Sequence, residues 1–122
     1  MIDGFLVIDK PAGVTSHDVV QEVRRWAKQR RVGHLGTLDP LATGVLPIAL
    51  GEATKVAQFI TEGDKSYAAV VKLGEETDTL DAQGKVTAQQ PVPRLERELI
   101  EGVLARFRGP QLQTPPMYSA VK

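Results

Sequence analysis

Residues 33–51, GHLGTLDPLATGVLPIALG, constrain this chain more than any other stretch. Gly33, Gly36 and Gly44 punctuate the front of the segment, while VLPIAL at its back is an apolar run of strand character, so a loop is expected to feed a buried strand. A single carboxylate, Asp39, stands between Leu38 and Pro40, with Leu41, Val45 and Leu46 close behind. An aspartate before proline is ordinarily a turn initiator. Turn aspartates usually keep polar company, however. A carboxylate held among apolar groups must find a cationic or hydrogen-bonding partner or resist ionisation, and both outcomes concentrate at functional sites. The glycines also permit a close backbone approach, as suits a loop that wraps a ligand.

The rest of the chain reads as alternating strands and helices. FLVID (5–9) is a short strand closed by the turn KPAG. A helix follows, with Ser16 as its cap, Asp18 in its first turn, and Val19, Val20, Val23, Trp26 and Ala27 as its apolar face. Beyond VLPIAL the pattern predicts a helix over 53–60, a strand over YAAVVKLG (67–74), and an acidic turn over 74–86. The linker QQPVPR then leads into a helix over 94–107, striped by Leu95, Leu99, Val103, Leu104 and Phe107 and stopped at Gly109-Pro110. TPPMYSAVK, at the end, reads as the start of another strand. The order is too irregular for βαβ winding, so the expected class is α+β, a mixed α/β sheet flanked by helices.

Composition narrows the function. The chain has 122 residues and no cysteine, which removes disulfides and thiolate zinc sites and makes the cytoplasm the expected compartment. His17 and His34 are the only histidines and hold no metal without carboxylate help. No stretch approaches the roughly 20 apolar residues of a membrane span. Fifteen basic residues balance fifteen acidic ones, so binding to nucleic acid requires a local patch. RRWAKQRR supplies one candidate in Arg24, Arg25, Lys28, Arg30 and Arg31, although a solvated helix face is the simpler reading. By spacing alone His34 reads as a satisfied core histidine, Trp26 as core and Tyr67 as strand packing. GEATK lacks the spacing of a phosphate loop and TDTLDAQG that of a calcium loop.

Four segments in order, DGFLVIDKPAGVTSHDVV, GHLGTLDPLATGVLPIALGEATK, KSYAAVVKLGEETDTLDAQG and TPPMYSAVK, resemble the signature segments of the bacterial TruB family, the tRNA pseudouridine-55 synthases. The resemblance runs the length of the chain. It implies a pseudouridine synthase fold with a mostly antiparallel sheet, and an enzyme that isomerises a uridine in the T-loop of tRNA without a cofactor. By the same resemblance Asp39 is the catalytic carboxylate, either a nucleophile or the group that removes a sugar proton. Tyr67 would stack on the flipped-out uracil, His34 would occupy the space it vacates, and Lys10 with Pro11 would support the active-site loop.

Members of this family continue past the segment that ends here at Lys122, with an arginine that pairs with the catalytic aspartate, further strands and a small RNA-binding domain. The resemblance therefore makes residues 1–122 the N-terminal portion of a catalytic domain, inactive by itself, from an enzyme expected to be a monomer at full length. A guide-RNA-dependent enzyme of the dyskerin type is disfavoured, because DGFLVIDKP begins almost at Met1. An RNA-binding module with an inert Asp39 is the alternative from another class.

Overall fold

A computed structural model describes residues 1–61 and 63–114; the expected strand in TPPMYSAVK lies, apart from Thr114, outside the described residues. The chain divides at Tyr67 into two compact units, Met1–Tyr67 and Ala68–Lys122.

In the first unit, strands β1 (Gly4–Lys10), β2 (Val32–His34) and β3 (Gly44–Leu50) form an antiparallel sheet in the order β1-β3-β2. The β1–β3 register runs from Gly4 opposite Leu50 to Lys10 opposite Gly44, so Lys10 lies at the end of the sheet from which β3 emerges. β2 is an addition to the glycine-rich stretch, where three residues are too few for the alternation that identifies a strand. Pro47 sits in the central strand and its carbonyl accepts the Leu35 amide at 2.9 Å. Lacking an N–H, it cannot return that bond, and regular pairing of β2 ends there.

Helix α1 (Ser16–Ala27) covers one face of the sheet. Its cap is Thr15 and not Ser16: the Thr15 hydroxyl accepts the Asp18 amide at 3.0 Å, and the Asp18 carboxylate accepts the Thr15 amide at 2.9 Å. Val19, Val20 and Val23 meet Val32, Leu46, Ile48 and Leu50 in the core, with Leu6, Ile8, Val14, Ala27 and Leu38 packed around them. Trp26 is not core; it is 66% exposed. Trp26 lies seven residues on from buried Val19, on nearly the same side of the helix, so its exposure goes with its place in the last turn and not with its angle. The helix expected over 53–60 is instead a 3-10 turn at Gly51–Lys55 followed by α2 (Ala57–Thr61).

The second unit contains the hairpin β4 (Glu75–Thr77) and β5 (Val86–Gln89), irregular at Glu76/Thr77, then α3 (Arg97–Leu104) and a 3-10 turn at Ala105–Phe107. The acidic stretch 74–86 thus holds a strand as well as a turn. Asp78 accepts the Lys85 amide, and Asp81 accepts the Thr79 hydroxyl and the Gln83 amide. Those bonds, the Thr79 hydroxyl first, hold the Asp81 carboxyl below the usual range. The strand expected over 67–74 does not form among the described residues: apart from the Gln90 amide on the Gly74 carbonyl at its end, it carries no ladder bond, and Val70 and Val71 are exposed. The apolar stripe of α3 is also uncovered, with Leu99, Val103, Leu104 and Phe107 all exposed and only Leu95, ahead of the helix, half-buried. High β-propensity and an amphipathic period specify which face seeks burial; they do not supply the surface that buries it.

Candidate active-site loop

The loop between β2 and β3 carries Asp39, and three neighbouring groups hold it. Lys10 is 0% exposed. Its ammonium donates to the carbonyls of Pro11 at 2.8 Å, Val14 at 2.7 Å and Pro40 at 3.2 Å, which uses all three of its protons. The Pro40 carbonyl accepts a second bond from the Gly13 amide at 2.7 Å. Gly13 has φ +90, a conformation other residues adopt only with strain. On the other side of Asp39, Ser16 accepts the Leu38 amide at 3.0 Å and donates to the Leu38 carbonyl at 3.2 Å.

Both sequence neighbours of Asp39 are therefore tied to the β1–α1 connection. Asp39 itself is exposed, and the apolar enclosure expected around it does not form. Leu38 and Leu46 turn into the core while Leu41 and Val45 point to solvent, so the apolar residues around Asp39 in sequence leave it accessible. Its carbonyl accepts the Ala42 amide at 2.9 Å, closing a turn with Pro40 at the second position. Turn initiation and a chemical role are compatible at this residue, because the turn is closed by its backbone carbonyl and not by its side chain.

His34 ends β2 half-buried, and its Nδ1 lies 2.6 Å from the Gly36 carbonyl oxygen. A carbonyl only accepts, so Nδ1 carries a proton in this contact. His34 is thus a half-buried strand end tied to the loop and is not a core residue. Gly36 has φ +76, and the Lys65 ammonium lies over it, 3.0 Å from where a β-carbon would stand. Tyr67 is 66% exposed, in a segment without regular structure.

The basic run separates into two groups. Arg24 donates to the carbonyls of Arg30 and Val32, Arg25 pairs with Glu22 at 2.7 Å, and Arg31 pairs with Glu52 at 3.1 Å. Glu52 also meets Lys55, and that contact first, with Arg31 adding to it, holds its carboxyl below the usual range. Lys28, left-handed at φ 54, and Arg30 project outward as exposed cations. Among the described residues no cluster of His, Asp and Glu is arranged to hold a metal ion, and no helix is long and apolar enough to cross a membrane.

His34 and Asp39 lie on the connection that Lys10 contacts, and Ser16, expected only as a helix cap, is a further contact to it. The signal available was T-S-H-D at 15–18: once Thr15 and Asp18 form the capping box, the Ser16 hydroxyl is released for another partner.

A family profile described as TruB family pseudouridylate synthase (N terminal domain) matches residues 24–122. The tRNA pseudouridine synthase B of Azoarcus sp. (strain BH72) is 52% identical over 122 residues, covering 100% of this chain and 40% of its own length. That of Deinococcus deserti is 55% identical over 117 residues, covering 96% of this chain and 38% of its own length. Among solved structures, a chain of a Cbf5-Nop10-Gar1 complex aligns with a TM-score of 0.63 and 32% identity over 98% of this chain and 31% of that one. The chain thus spans about 40% of the length of the curated relatives it matches.

Proposed function

The chain belongs to the TruB family of pseudouridylate synthases, and from that premise we propose that it is the N-terminal portion of the catalytic domain of a tRNA pseudouridine synthase acting on uridine 55 in the T-loop. In this reading the bond between N1 of the uracil and C1′ of the ribose breaks, the base rotates, a bond from C5 to C1′ replaces it, and as C5 loses its proton N1 gains one, so the product is an isomer of the substrate. No cofactor enters. Asp39 is the reacting carboxylate, whether it attacks the nucleotide or removes a sugar proton. The observation that supports this role is its placement: an exposed acid whose two neighbours are both fixed through their backbones.

A uridine inside a folded loop is reached only after it is flipped out. Tyr67 would stack on the extruded base and His34 would stand in for it in the RNA. Lys28 and Arg30, with the rest of the basic run, would meet tRNA phosphates. The rest of the catalytic domain, including an arginine opposite Asp39, and an RNA-binding domain would lie in the part of the relatives beyond the present match, so residues 1–122 alone are proposed to be inactive. The complete protein is proposed to be a cytoplasmic monomer that uses no guide RNA.

The test is pseudouridine formation on a T-arm stem-loop by the chain extended to the length of its relatives, repeated with Asp39→Ala. Conversion that disappears in the variant while RNA binding persists is the expected result. Equal conversion by both would make Asp39 inert, and binding without conversion by either would leave an RNA-binding module.

A further inference from the structure

We infer that Ser16 is a positioning residue for Asp39, an inference that rests on the reading of Asp39 as the reacting carboxylate. Ser16 is 3% exposed and stands at the first position of α1. Twenty-two positions from Leu38 in sequence, its hydroxyl both accepts from that residue's amide and donates to its carbonyl, at 3.0 Å and 3.2 Å. A hydroxyl has one proton and two lone pairs, so the two bonds coexist.

The helix does not need this hydroxyl. Thr15 and Asp18 already form the capping box without it, and alanine is the better helix former at a helical position. What it fixes is the residue before Asp39: Leu38 is held by its side chain in the core and by both backbone groups on Ser16. After Asp39 comes Pro40, with φ set by its ring and its carbonyl bound by Gly13 and Lys10. The residue preceding a proline is itself restricted. Between two fixed neighbours, the backbone of Asp39 is held in place. The point from which its carboxylate projects is thereby set before substrate arrives, while the residue remains exposed.

Removing one of the two posts lets the loop drift, and misplacement by about 1 Å costs on the order of 100-fold in rate. In the chain extended to the length of its relatives, Ser16→Ala is expected to lower kcat about 10- to 100-fold with KM for the T-arm stem-loop unchanged, and to speed hydrogen exchange at the Leu38 amide. Ser16→Cys, which keeps the shape with a weaker donor and acceptor, serves if the alanine variant does not fold, and the same loss of kcat is expected. Wild-type kcat in whichever variant folds overturns the inference, as does a loss confined to KM. The two levels separate cleanly: a wild-type chain that makes no pseudouridine defeats the reading of Asp39, whereas an active wild type, an inactive Asp39→Ala and a fully active Ser16→Ala defeat only the role of Ser16.

Discussion

The ammonium nitrogen of Lys10, a fully buried residue at the end of the sheet, and the carbonyl oxygen of Pro40 lie 3.2 Å apart across thirty positions of sequence. A charge held where water does not reach is tolerable only because three carbonyls replace its hydration. Lys10→Met keeps the aliphatic stem and leaves those acceptors without their donor. Destabilisation of about 2 kcal/mol is expected, measured by urea unfolding, together with loss of pseudouridine formation in the protein that remains folded. Unchanged stability would mean that the cost of burying the ammonium cancels its bonds.

The capping box makes the start of α1 sensitive to acid. Hydrogen bonds from the Thr15 amide, then the Thr15 hydroxyl, hold the Asp18 carboxyl below its ordinary value of 3.8. Because the folded value is the depressed one, this stabilisation is complete above the ordinary value and is lost as pH falls through the folded one. The urea midpoint is expected to drop below about pH 4 with a component that Asp18→Asn lacks. Parallel pH profiles for the two proteins would show that Asp18 does not stabilise the helix.

Within the basic run, the exposed cations are expected to behave differently from the engaged ones. Lys28→Gln and Arg30→Gln should each reduce the slope of log K against log salt for T-arm binding by about 0.7–0.9 with little change in stability. Arg24→Gln, which removes bonds to the Arg30 and Val32 carbonyls, should destabilise the protein instead. An unchanged salt slope in the first two variants would return the run to a solvated surface.

Tyr67 offers a division between stacking and proton transfer. Tyr67→Phe keeps the ring, so RNA affinity should hold, while turnover falls by roughly 10²–10⁴ if the hydroxyl moves a proton. Full activity in Tyr67→Phe would assign the residue to stacking alone, and Tyr67→Leu should then be the damaging change. The exposure of Tyr67 makes a folding defect an unlooked-for result in either variant.

How much of this was legible in the sequence differs between the two units. β1, α1 and β3 followed from apolar runs and periodicity because their partners lie within the same unit, and the loop holding Asp39 followed from its glycines and proline. Residues 67–74 and the stripe of α3 carry equally strong local patterns, yet the described residues provide no surface to complete them. Trp26 and Ser16 failed for a different reason. Helical spacing marks a stripe, but how far along the helix that stripe stays covered and which polar group is released from the cap depend on the packing partner. The exposure of Asp39 likewise depended on which way each neighbouring leucine turned, and a list of neighbours does not record direction.

Every bond that Lys10 and Ser16 send to their surroundings ends on the main chain: the carbonyls of Pro11, Val14 and Pro40, and the amide and carbonyl of Leu38. Such anchors read the path of the backbone and are indifferent to the side chains along it. Exchanging one exposed residue for another at Ala12 or Thr37 leaves the spacing of those acceptors intact, whereas inserting or deleting a single residue there slides each carbonyl past its donor. Chain length across these two short connections, more than their composition, is what evolution or an engineer is least free to alter.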